Sequence, residues 1–169
     1  MSDRIVVLGA GISGIGGAVL AKKKGFDVFV SDKGRITNEN KEILLKHKID
    51  WEEGRHTLAN ILNANEVIKS PGIPDQVDLI QILRLNDIPV ISEVEFAFRY
   101  TNAKIAAITG SNGKTTTAKL LGQMLKNAGY DTLIAGNIGI GFAFSISERD
   151  YDYIVLELSS FQLDNIHNF

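Results

Sequence analysis

The stretch that most restricts how this chain folds is Thr109-Gly110-Ser111-Asn112-Gly113-Lys114-Thr115-Thr116-Thr117. It lies between the apolar run 105–108 and a helix-like segment, 118–127. A strand that runs into glycines, a lysine and hydroxyls before a helix is a junction at which phosphate groups are held. Gly110 and Gly113 let backbone N–H groups approach phosphate oxygens, with Ser111, Asn112 and Thr116 on the same loop. Lys114 can reach the β- and γ-phosphates, and the Thr115 hydroxyl can hold Mg²⁺. The full Walker pattern asks for a further glycine where this chain has Ile108. The competing reading is a glycine-rich turn with a solvated lysine.

The rest of the chain alternates short β-branched runs with helical stretches, the pattern of a parallel α/β sheet with crossover helices. Strands are expected at 4–8, 27–31, 66–69 and 89–91, and helices at 13–24, 38–47 and 78–86. Gly25 suits the position after a helix end, and Lys22, Lys23 and Lys24 suit its last turn as solvated, dipole-matched cations. A second α/β unit is expected from residue 104, with strands into the phosphate loop, at 132–135 and at 153–158. Residues 92–103, with Glu93, Glu95, Phe96, Phe98 and Tyr100, read as a short amphipathic connector. The expected organisation is thus a Rossmann-like unit over 1–92, a connector over 93–103 and an incomplete P-loop-type unit over 104–169.

Gly9-Ala10-Gly11-Ile12-Ser13-Gly14 follows the first strand and matches the dinucleotide loop. Gly9 permits the turn, Gly11 lets a diphosphate approach and Gly14 packs helix on strand. Asp32 ends the second strand, where an acid commonly meets a ribose hydroxyl. The loop recognises a diphosphate, so a UDP-sugar satisfies it as well as NAD does. A turn that only packs a helix is the plainer alternative. Ser70-Pro71-Gly72-Ile73-Pro74 follows a further strand at the same sheet edge and reads, by itself, as a rigid turn.

Composition excludes several classes. Of 169 residues, 44% are hydrophobic and 22% charged, and the formal net charge is −2, so nothing advertises nucleic-acid or membrane binding. There is no cysteine, which removes disulfides and thiolate chemistry and fits a cytoplasmic setting. No secretory signal and no apolar stretch of membrane-spanning length is visible. His47, His56 and His167 are scattered, without metal-ligand spacing, and read as surface or partly buried residues.

Two further features lie in the second unit. In Gly136-Asn137-Ile138-Gly139, Asn137 is either a turn residue or an amide offered to a ligand. The run Tyr153-Ile154-Val155-Leu156-Glu157 ends an apolar strand in a carboxylate, the arrangement that holds Mg²⁺ in phosphate-loop enzymes; a surface acid at a strand end is the alternative. Ser159 and Gln162 follow as plausible substrate contacts or as parts of a polar loop.

Taken in order, these segments resemble the Mur ligases, along the entire chain. Thr109-Gly110-Ser111-Asn112-Gly113-Lys114-Thr115 marks the superfamily, and Glu157-Leu158-Ser159-Ser160-Phe161-Gln162-Leu163 resembles its D-glutamate-adding branch. The resemblance implies a UDP-muramoyl substrate on the first unit, ATP and Mg²⁺ on the second, and a third domain supplying most of the D-glutamate site. It implies that Gly11, Ile12, Ser13, Asp32 and Gly72 meet the uridine diphosphate portion, with Arg35 standing in, shifted by Lys33-Gly34, for a family arginine. It further implies that Lys114 and Thr115 hold ATP phosphates and Mg²⁺, that Glu157 holds Mg²⁺, and that Asn137, Ser159 and Gln162 meet the muramoyl portion. The implied substrates are UDP-N-acetylmuramoyl-L-alanine and D-glutamate, joined through an acyl phosphate, with no obligatory protein partner. Family members are far longer, so a chain of this length is expected not to complete the reaction alone. Two alternatives stay open: an NAD(P)-dependent oxidoreductase, from the first glycine loop and Asp32, and a non-catalytic nucleotide-sugar-binding module.

Overall fold

Val6, Val7 and Leu8 are wholly shielded from water, as is the centre of the neighbouring strand, so these short runs sit covered on both faces, as parallel strands flanked by helices do. The computed structural model describes residues 2–137, 141–163 and 166–169. In chain order the first unit comprises β1 (Arg4–Leu8), α1 (Ile12–Lys23), β2 (Asp27–Asp32), α2 (Asn38–Lys46), β3 (Asp50–Glu53), α3 (Leu58–Ile61), β4 (Glu66–Lys69), α4 (Asp78–Leu85) and β5 (Val90–Ser92). Its strands form a parallel sheet in the order β3-β2-β1-β4-β5. Then come α5 (Glu93–Phe98), β6 (Lys104–Ile108), α6 (Lys114–Asn127), β7 (Thr132–Gly136), α7 (Phe142–Glu148), β8 (Tyr153–Glu157) and α8 (Ser160–Leu163). The second sheet is also parallel, in the order β6-β8-β7. The expected α/β class and the two glycine-loop junctions are therefore present.

Local chemistry sets several boundaries. Thr37 accepts from the Asn40 N–H at 3.3 Å and starts α2, and Ser92 accepts from the Glu95 N–H at 3.1 Å and starts α5. Gly25, at φ +91°, follows the end of α1 in the left-handed conformation that ends helices. Lys23 and Lys24 of the lysine run beside it are exposed, as expected, and Lys23 also pairs with Glu148 of α7 at 2.6 Å. Helix α6 begins at Lys114 rather than at 118, so the lysine and Thr115 belong to its first turn.

Alternate residues of β1 face two cores. Val6 and Leu8 pack with Val67, Ile80 and Leu83 on one side of the first sheet. Ile5 and Val7 join Ile68 and α1 on the other, in a cluster that continues through Phe142 and Ile146 of α7 to Ile154 and Leu156 of β8. The two sheets thus share one apolar cluster. Helix α7 makes the bridge by lying on α1: a Cβ built on Gly16 would stand 3.0 Å from the Phe144 backbone nitrogen. The first part of the expected amphipathic connector is instead a helix covered on all sides over 93–97, exposed only from Phe98 onward. Residues 93–97 are all buried, Glu93 and Glu95 included, because α7 covers one carboxylate and the segment 167–169 the other. Among the described residues no helix is long and apolar enough to cross a membrane.

Candidate functional site

The carboxyl edge of the first sheet carries the first glycine loop. Gly9 has φ +89°, and a Cβ on Gly14 would stand 1.8 Å from the Gly9 carbonyl oxygen, so both positions demand glycine. Asp32 binds this loop to the next one: Oδ2 accepts from the Ala10 N–H at 2.6 Å and Oδ1 from the Gly34 N–H at 2.7 Å. Ile12 is 67% exposed at the start of α1, beside exposed Gly11 and half-buried Ser13. Beside the loop opens a cleft of about 920 Å³ whose lining includes Gly9, Asp32, Lys33, Arg55, His56 and Gly72. Arg35 is exposed and outside this lining, where Lys33 and Arg55 supply the cations.

Arg55 and His56 had no signal in the sequence, since they follow β3, an acidic strand with no apolar alternation. Ser31, wholly buried at the end of β2, joins them to the fold. Its hydroxyl lies 2.7 Å from Glu52 Oε1 and 2.7 Å from His56 Nδ1. Burial pushes the Glu52 carboxyl up, but hydrogen bonds from Thr57 and Ser31 outweigh it and leave it below the ordinary carboxylate value. Burial also holds His56 below the ordinary imidazole value, against the pull of the Glu52 and Asp32 carboxylates and together with Lys33. The cleft continues along Gly72, Ile73 and Pro74 into a second hollow of about 570 Å³ that reaches Phe161 of the second unit.

At the second sheet the phosphate loop has Gly110 at φ +141° and Gly113 at φ +76°, the latter immediately before α6. Ser111, Asn112 and Thr116 are exposed around it. Lys114 Nζ donates to the Gly110 carbonyl at 2.6 Å, curling over the loop. Thr115 Oγ1 donates to Glu157 Oε2 at 2.8 Å, and Glu157 is 2% exposed. Ile108, Glu157 and Gly136 stand in register on three adjacent strands. A Cβ on Gly136 would lie 2.1 Å from the Glu157 carbonyl oxygen, to which the Asn137 N–H donates at 2.8 Å. Asn137 is thereby held next to Glu157, while the Ile138 and Gly139 of the same turn lie outside the described residues. Ser159 and Gln162 close a local turn, Ser159 N–H and Oγ meeting Gln162 Oε1 at 3.0 and 3.1 Å.

These groups have the chemistry a magnesium nucleotide requires. Mg²⁺ takes one or two protein oxygens and completes its shell with water and phosphate, and a hydroxyl paired with a buried carboxylate supplies such oxygens. Among the described residues no cluster of three His, Cys, Asp or Glu forms an all-protein metal cage. Lys69, 4% exposed, is consumed structurally by the Ile73 carbonyl at 2.6 Å and Asp75 at 3.0 Å, which stiffens the Gly72 turn.

Residues 4–79 match the family model described as MurD N-terminal domain, and residues 108–169 match that of the Mur ligase middle domain. Over 166 residues the chain is 59% identical to the UDP-N-acetylmuramoylalanine--D-glutamate ligase of Bacteroides fragilis, covering 98% of this chain and 37% of that protein. The protein of the same name from Thermoanaerobacter pseudethanolicus is 37% identical, again over 98% of this chain and 37% of the relative. The chain spans a little over a third of the length of the curated relatives it matches. Among solved structures, the murein peptide ligase Mpl of Psychrobacter arcticus shares the fold, with TM-score 0.64 and 20% identity over 95% of this chain and 38% of that one.

Proposed function

We propose that this chain, which belongs to the Mur ligase family, is the nucleotide-binding portion of an ATP-dependent ligase joining D-glutamate to UDP-N-acetylmuramoyl-L-alanine in peptidoglycan synthesis. The observation that carries the reading is the Thr115–Glu157 pair at 2.8 Å, set in the first turn of α6 and at the end of β8 beside an open phosphate loop. An oxidoreductase has no use for that pair.

In this reading the first cleft takes the uridine diphosphate, with Gly11, Ile12 and Ser13 presenting the start of α1 to the diphosphate. Gly110 to Gly113 wrap the ATP phosphates, and Lys114 leaves the Gly110 carbonyl to neutralise charge on the transferring phosphoryl group. Thr115 and Glu157 would hold Mg²⁺, which when bound would supply positive charge between two anions. Asn137, Ser159 and Gln162 orient the muramoyl carboxylate for attack on the γ-phosphate, and the D-glutamate amine then displaces phosphate from the acyl phosphate. The setting is cytoplasmic, where ATP is available.

Calorimetric titration of the chain with MgATP tests the reading. Binding is expected, and Lys114→Ala is expected to weaken it at least about tenfold, because a cation facing phosphate in a partly desolvated loop contributes that much. Unchanged affinity in the variant overturns the assignment. Amide product formed by this chain alone, from ATP, D-glutamate and the UDP substrate, overturns the expectation that further domain surface is required.

A further inference from the structure

The first cleft has one wall that the reading above leaves unused, the Glu52–Ser31–His56 chain. A hydroxyl has a single proton, and an ionised carboxylate only accepts. Ser31 therefore donates to Glu52 Oε1 at 2.7 Å, and its oxygen is left to accept from His56 Nδ1–H, also at 2.7 Å. The proton is thus held on Nδ1, and Nε2 carries a bare lone pair. No described residue hydrogen-bonds Nε2, while His56 lines the cleft. Lys33 and Arg55, both exposed cations, line the same cleft. An acceptor accompanied by donors complements a base edge reading acceptor, donor, acceptor. Uracil presents that edge in O2, N3–H and O4, whereas cytosine places an acceptor at N3.

The place in the fold agrees. The diphosphate loop follows β1, Asp32 ends β2, and His56 comes just after β3, in a sheet ordered β3-β2-β1. Strands are spaced about 4.8 Å apart, so crossing two of them covers about 10 Å, the distance from a diphosphate to the base beyond its ribose.

We propose that His56 is the residue that selects a uracil base in the first cleft, its Nε2 accepting the imide N3–H, with Ser31 and Glu52 positioning the ring. The inference rests on the reading of this cleft as the uridine diphosphate site. UDP and CDP are the probes, titrated separately into the chain by calorimetry. Wild type is expected to bind UDP about tenfold or more tightly than CDP at about pH 8, as a site built around one hydrogen bond rejects the analogue lacking it. His56→Phe keeps a ring of similar size and removes the acceptor, so the UDP-to-CDP ratio is expected to fall to near one.

A second measurement needs no variant. The ratio cancels titration of the diphosphate, which both probes share. Glu52, Asp32, Lys33 and Arg55 are the charged groups facing His56, and burial outweighs the two carboxylates, so the ring is neutral at about pH 8. Protonation turns Nε2 into a donor, and the ratio is expected to drop in wild type only, at a pH below the ordinary imidazole value because burial holds the ring there. A His56→Phe protein that still prefers UDP overturns the role of His56 and leaves the cleft assignment standing. Failure of wild type to bind either diphosphate overturns both.

Discussion

Replacing Glu93 by glutamine is expected to stabilise this protein at alkaline pH and to change little in mild acid. Glu93 opens α5, is 4% exposed, and lies where α5 meets α1 and α7. Among the described residues its one hydrogen bond comes from the Ala143 N–H to Oε1 at 2.6 Å. Burial pushes its carboxyl from 4.5 to about 7, against the pull of that single bond. At 1.36 kcal/mol per unit, this rise corresponds to about 3 kcal/mol. The folded state holds the proton more tightly than the unfolded state, so the stabilisation is complete below 4.5 and is lost as pH rises through about 7. Glutamine keeps the oxygen that accepts from Ala143 and never ionises. Urea unfolding of both proteins, followed by circular dichroism, should place the variant about 3 kcal/mol above wild type at about pH 8 and within about 1 kcal/mol at about pH 5. All other titrating groups cancel in that difference. A gap that is equal at both pH values, or a variant no more stable at pH 8, refutes the argument that Glu93 is desolvated in the folded chain.

Glu95, two residues further along the same helix, should behave oppositely. Burial pushes it up too, but the N–H groups of Asn168, His167 and Phe169 and the Asn168 side-chain amide outweigh burial and set it at about 2. Its stabilisation is present above 4.5 and lost as pH falls through about 2, and Glu95→Gln is expected to cost about 2 kcal/mol or more at neutral pH in urea unfolding. Gly136→Ala places a methyl 2.1 Å from the Glu157 carbonyl at φ +106°, so β7 must part from β8; a loss of about 2 kcal/mol or more in thermal unfolding is expected, with weaker MgATP binding.

Every strand but β3 was readable in the sequence: β1, β2, β4 and β8 because β-branched runs buried on both faces leave no other use for themselves, and the half-buried β6 and β7 because each runs into a glycine turn. The glycine loops were readable because close backbone approach leaves few alternatives at Gly14 or Gly113. Strand β3 was not, since Asp50, Glu52 and Glu53 are recruited by parallel pairing with β2 rather than by any pattern of their own. Missing β3 concealed the cleft wall that follows it, including Arg55 and His56. Helix α7 was missed because its seven residues are helical by virtue of what they pack on, chiefly α1. The burial of Glu93 and Glu95 depends on segments distant in the chain, α7 and residues 167–169, and periodicity over a dozen residues carries no trace of such partners.

The contact of Gly16 with Phe144 bears on how the chain can diversify. Gly16 touches neither candidate nucleotide, yet a methyl there would stand 3.0 Å from the Phe144 nitrogen and 3.4 Å from its Cβ. Its tolerance is therefore decided by a helix belonging to the other sheet. The first unit and α7 form a single inheritance: a chimera that exchanges residues before the phosphate loop for those of a relative must bring a matching α7, or the outer face of α1 is left without its complement.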